Sequence, residues 1–396
     1  MSIIKIILFA SLVIPIKLAN GWELSQLLKY NNLSVNYPDA SLLSTDDGYD
    51  NFNFFNYRVN VNNKINQKDD QSIKFETHYL IQSAFSNRHN LIFIDPDQHR
   101  LFDLTKSISD HSNRLSYHRL DRLFVTFNTT NYTFKAGRQA ISWGNGLIFN
   151  ILDIVNPFSP TAIDTEYKPG DDMFYLQSTT TSGNDWQLIY LPRRDSDNDL
   201  DTSLATIAAK YHHTGASADF DFLFAQHYDK PLIGFALNKA VAGSVWRLNL
   251  THSKTLTDQR FTNLSSNIDY SWTMMDKNIY GFLEYFYSGI GLDSVSATAD
   301  NTLLTYIQRG SLFTRYRDYF AGGLRIELHP LLNFSPTVIH NLIDNSSLLS
   351  LTLKYDWQQD LSFTSNITLI SGNSSSEYAG STSPGNSLQL LLSYYF

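Results

Sequence analysis

The sequence predicts an all-β chain, closed into an antiparallel up-and-down barrel that crosses a membrane with its strands. Three observations predict it. Runs of alternating apolar and polar residues recur about every 20 residues. The N-terminus carries an apolar stretch that reads as an export signal. The last ten residues, Ser387–Phe396, form one more alternating strand, with Leu388, Leu390, Leu392, Tyr394 and Phe396 on one side.

Composition supports the same class. Among 396 residues there are 23 Tyr and 26 Phe, types that suit pleated surfaces and bilayer interfaces. A mean hydropathy of -0.24 is too polar for a bundle of membrane helices. It fits strands that turn only every second residue to lipid. The chain has no Cys, which excludes disulfides, thiolate metal sites and Cys nucleophiles. A net charge of -8, with Arg193-Arg194 the only adjacent basic pair, argues against a nucleic-acid partner.

Lys5 precedes the apolar run Ile6–Ile16, and Ala19-Asn20-Gly21 offers small residues for cleavage. Residues 1–21 therefore read as a signal peptide, since a spanning helix needs about 20 apolar residues. The mature chain is expected to start at Trp22. Residues 22–50 are expected to be a periplasmic lead-in or plug, and residues 51–396 the barrel.

Along that barrel, Ile73, Phe75, Tyr79 and Ile81 share one face, opposite Lys74, Glu76, His78 and Gln82. Leu123, Val125 and Phe127 oppose Arg122 and Thr126, and Phe220, Phe222 and Phe224 oppose Asp219 and Asp221. Trp246, Leu248 and Leu250 oppose Arg247, while Leu324, Ile326 and Leu328 oppose Arg325 and Glu327. Leu349, Leu351, Leu353, Tyr355 and Trp357 oppose Thr352, Lys354 and Asp356. A soluble sandwich would show the same alternation around a dry core. Long and short connections that largely alternate favour the membrane barrel, where long loops gather at the outer end. The count reaches about 18 strands, or 16 if a weak pair near Arg88–Ile94 or Leu232–Leu237 dissolves.

The most distinctive stretch is Phe134–Asp172. It leaves a strand and enters a long connection punctuated by Gly144, Gly146 and Gly170 and by Pro157, Pro160 and Pro169. Its apolar content (Trp143, Leu147, Ile148, Phe149, Leu152, Val155) is too high for a loop in water. It is expected to fold back into the barrel mouth, so that residues 141–171 narrow the lumen. The pattern Gly137-Arg138-Gln139, Trp143-Gly144-Asn145-Gly146, Asp153 and Asn156-Pro157 resembles a signature of proteobacterial porin-like outer-membrane families, with alginate-export-type and substrate-specific porins among their relatives. The resemblance covers about a tenth of the chain. The final strand likewise resembles the closing strand of outer-membrane barrels, which implies the barrel-assembly machinery as a partner through Phe396.

Arg138, Gln139, Trp143, Asp153 and Asn156 are the candidate pore-lining or loop-anchoring cluster. A plainer reading makes Arg138 and Asp153 a structural ion pair. The candidate lumen charges are Lys74, Arg122, Arg247, Arg325 and Lys354, set against Glu76, Asp219, Asp221, Glu284, Glu327 and Asp356. Their near balance predicts weak ion selectivity or interior salt bridges. Glu284 shares its face with Tyr280, Phe282 and Phe286, which predicts a partly aromatic lumen.

Asp195–Asp201 lacks the Gly and Glu of a calcium loop and reads as a solvated acidic turn. Asp110-His111 and His252-Ser253 sit in no pattern of a catalytic site. No cofactor, metal or catalytic residue is assigned. The function predicted is a porin-like channel in the bacterial outer membrane for passive diffusion of small solutes, in contact with lipid and lipopolysaccharide. The alternatives are a non-conducting barrel of an export assembly or a surface structure and, behind them, an outer-membrane hydrolase.

Overall fold

The computed structural model describes residues 21–39, 41–43, 49–68, 70–88, 91–381 and 383–396. The expected signal peptide lies outside them, except for Gly21. The chain forms β1 (Trp22–Asn36), β2 (Asp50–Lys68), β3 (Gln71–Ser86), β4 (Thr105–His111), β5 (Arg114–Asn128) and β6 (Tyr132–Gln139). There follow β7 (Asp171–Thr179), β8 (Asp185–Leu191), β9 (Thr206–Thr214), β10 (Asp219–His227), β11 (Lys230–Val241) and β12 (Ser244–Lys254). Then come β13 (Arg260–Met274), β14 (Lys277–Ser288), helix α1 (Asn301–Gln308) and β15 (Asp318–His329). The chain finishes with β16 (Leu332–Asn341), β17 (Ser347–Gln358), β18 (Leu361–Ser371) and β19 (Asn386–Tyr395).

Each strand pairs antiparallel with its neighbours, and β19 returns to β1 to close an 18-strand barrel. The odd strand is β4. It pairs with the upper part of β5 on the side where the short β6 has ended, while β3 pairs with β5 along its length. Closure removes the free edges that would otherwise template association. At the seam, Phe396 and Gln26 exchange two backbone hydrogen bonds.

Two expectations are corrected here. Trp22–Asn36 is no lead-in: it is the first barrel strand, and its long register with β2 and β19 completes the wall. Its polar residues hid it, because Tyr30, Asn32 and Ser34 on the outer face bond to Asn53 and Asn51 of β2. The count of 16 also falls: Leu232–Leu237 lies within β11, and although Arg88 and residues 91–94 form no strand, β1 makes up the number.

Short turns lie at the end that carries both termini. Ala242-Gly243 and Met275-Asp276 have positive φ at both positions, as a tight two-residue hairpin requires. The outer face is apolar, with Val125, Phe174, Leu188, Phe224, Ile268, Leu324 and Leu369 exposed. Exposed Trp22, Tyr132, Trp186, Tyr270 and Trp357 ring the short-turn end, where an interfacial aromatic girdle belongs. No helix among the described residues is long and apolar enough to cross a membrane.

Candidate functional site

The connection 140–170, between β6 and β7, runs against the inner wall. It departs at Gly137, whose φ of +120° and whose place 2.2 Å from the Leu123 carbonyl (measured to an ideal Cβ) leave no room for a side chain. Trp143, Leu152 and Val155 then pack on Met173, Tyr175, Ile189, Leu191, Ala208, Leu223 and Ala236, the inward residues of β7 to β11. That explains why this part of the wall is apolar on both faces: inside, it is covered by chain rather than water.

The tip is held at β14. The amides of Leu147 and Ile148 donate to one carboxylate oxygen of Glu284 at 3.0 and 2.9 Å, and that of Phe149 to the other at 2.9 Å. Ser265 donates to the same group at 2.9 Å. Phe149 also stacks on Phe286. Farther on, Asp164 and Glu166 reach Lys29 of β1 at 2.7 and 2.8 Å, and Tyr167 lies 4.2 Å under the Arg58 guanidinium. Lys168 returns to Asp153 at 2.6 Å. Burial pushes the Asp153 carboxyl up to about 6, against the pull of Lys168 and two backbone amides.

The five candidate residues are all anchors. Arg138 and Asp153 do not pair with each other, contrary to the ion pair expected from sequence. Arg138, fully buried, forks onto Asp172 at 2.9 and 3.0 Å and meets Asp97 at 2.8 Å. It also donates to the Phe102 carbonyl at 2.6 Å. Gln139 donates to the Met173 carbonyl, Trp143 to Gln187, and Asn156 (φ +50°) to Asp171.

Sequence reasoning missed Asp97, Arg100, Asp171, Asp172 and Arg193. Asp97 takes Arg100, Arg138, Thr105 and the Leu104 amide, and Arg193 forks onto Asp171. Burial alone would raise the Asp97 carboxyl, but Arg138 and Arg119 hold it below the ordinary range. Residues 91–104 are thereby strapped to the wall beside connection 140–170. No local pattern marks these residues, because the network joins four segments of chain.

The predicted lumen charges are mostly paired. Arg247 meets Asp269 at 2.7 Å, Asp221 meets His212 and Lys210, and Glu76 meets His78. Arg122 donates to the Lys168 carbonyl; a β-bulge after Leu120 turns it and Asp121 inward together. Lys354 and Asp356 are 3.7 Å apart, and Glu327 accepts from Asn278. Arg325 lies over Tyr280, Asp219 accepts from the Gly215 amide, and Lys74 is opposite Lys64. Glu284 serves the connection tip. Phe286 is likewise covered rather than open to the lumen.

A second apolar cluster caps β14 to β17. Leu292, Leu303, Leu312 and Tyr316 of the segment between β14 and β15, with Tyr378 from the β18–β19 connection, pack on Phe149, Tyr319, Ile339 and Leu348. Two cavities flank the connection. One of about 470 Å³ lies between the connection and β16 to β18, and one of about 240 Å³ lies between Tyr167, Pro169 and β1 to β5. His252 and Ser253 point to opposite faces of β12, bonded to Thr262 and the Pro231 carbonyl, so they form no catalytic pair.

No protein-family model matches the chain, and no curated protein matches it. Solved structures do. Pseudomonas aeruginosa OccK7 (OpdD) is 10% identical, with a TM-score of 0.55 over 96% of this chain and 99% of that one. Pseudomonas aeruginosa OccK5 (OpdH) is 9% identical, with a TM-score of 0.57 over 94% and 98%. Acinetobacter baumannii OccAB2 is 11% identical, with a TM-score of 0.53 over 95% and 98%. By fold, then, the chain is a closed 18-strand antiparallel β-barrel like those of these structures.

Proposed function

We infer that the barrel is a channel for passive diffusion of small solutes, and that connection 140–170 narrows it. The observation that carries this reading is the grip of Glu284 on three successive amides at the connection's tip. A carboxylate set on the inner wall to hold a loop tip keeps that tip inside the barrel. Each such charge-assisted bond contributes about 1.5–3 kcal/mol. The outward apolar residues face lipid, and the interior polar residues face water.

Single-channel recording in a planar bilayer tests the reading: steady openings are expected. A folded but silent barrel would favour the second reading, a non-conducting role in export or at the surface. The apolar cap of Leu303, Leu312, Tyr316 and Tyr378 over one side of the lumen favours that second reading.

A further inference from the structure

The inner wall at β16 to β18 differs from the rest of the lumen. Where β1 to β5 present Lys29, Arg58, Arg119 and Asp121, this sector presents Thr337, Ser350, Thr352 and Thr368 to the 470 Å³ cavity. Among the described residues lining that cavity the one charged side chain is Asp153, and it is committed to Lys168. The volume lies in the roughly 300–1,000 Å³ range of small-molecule sites.

The hydroxyls are oriented by Asn366, which lies beside them on the inner face of β18 and is 1% exposed. Its amide nitrogen donates to Ser350 at 2.5 Å and Thr352 at 2.8 Å, and its oxygen accepts from Thr368 at 3.0 Å. A hydroxyl has one proton and two lone pairs. Ser350 and Thr352, having accepted, keep their protons to donate into the cavity. Thr368, having donated, keeps its lone pairs to accept. Opposite them, Phe158 and Ile148 supply apolar surface.

Donors and acceptors side by side, facing an apolar platform and without a free charge, match an uncharged polyol. A polyol's hydroxyls both donate and accept, and its C–H face is apolar. An anion would find no cation here, and a cation no free carboxylate. We propose that this cavity binds neutral polyhydroxylated solutes on their way through the lumen. The proposal rests on the channel reading for its transport meaning, but the binding stands separately.

The test adds sorbitol to one side of a bilayer holding single channels and compares it with gluconate, a charged analogue. Saturable reduction of the open current by sorbitol, and none by gluconate at equal concentration, is the expected result. Asn366→Leu should raise the half-blocking concentration about tenfold for two misdirected hydrogen bonds, and Thr352→Val about threefold for one, read against each variant's own current. Equal effects of the two solutes, or unchanged half-block in both variants, would overturn the proposal. Complete silence would defeat the channel reading instead. Calorimetry with sorbitol on detergent-solubilised protein then decides the site, and absence of saturable heat rejects it.

Discussion

The ring of Phe149 lies 4.4 Å from that of Phe286 with an interplanar angle of 11°, and the carboxylate of Glu284, two residues earlier on β14, takes the Phe149 amide. One residue of the connection is thus held by ring and backbone together. Stacking adds about 0.5–1.5 kcal/mol beyond burial, less than the charge-assisted bonds, so the carboxylate is the stronger hold.

Glu284→Ala is therefore expected to free the tip and raise both conductance and current noise, more than Phe149→Ala does. Single-channel traces of the two variants check the order. Equal traces from wild type and Glu284→Ala would defeat the narrowing role of the connection.

Arg138→Met leaves Asp172 and Asp97 without their shared cation in a site closed to water. Breaking such a pair costs about 3–5 kcal/mol. Denaturant unfolding in detergent should show a loss of that size. Arg138→Lys should restore less than half, because an ammonium cannot reproduce the fork onto Asp172.

Asp153 makes a pH prediction. Its carboxyl, raised from 3.8 to about 6 by burial, binds a proton more readily docked than free. The stabilisation from this group is fully present below 3.8 and is lost as pH rises through 6. Current noise from the connection should therefore fall as the bath goes from pH 7 to pH 4. Asp153→Asn should abolish that dependence; a parallel slope in the variant would assign it to other groups.

Gly137→Ala would set a Cβ 2.2 Å from the Leu123 carbonyl in a backbone that L-residues avoid. Strain of about 1–3 kcal/mol is the least expected, since β5 must also shift. The yield of folded barrel in the membrane fraction should drop, and normal yield would show that β6 can leave by another path.

Much of the wall was legible because its signal is local. Phe220, Phe222 and Phe224 alternate with Asp219 and Asp221 whatever lies beside them, and period two is enough to name the faces. Trp22–Asn36 escaped because its outer face carries Tyr30, Asn32 and Ser34, whose bonds to Asn53 and Asn51 are visible only once β2 is alongside. Connection 140–170 announced itself by apolar residues with no strand to belong to. Its partners did not: Arg138 takes Asp97 and Asp172, and Asp153 takes Lys168.

By itself, then, the sequence determined that strands alternate, that their number is about 18, and that one connection is too apolar for water. Only the tertiary structure decided where that connection lies and which charges meet. Side-chain alternation is a property of each strand's own backbone, whereas ion pairs between distant segments exist only after closure brings β1, β5, β7 and β14 around a common lumen.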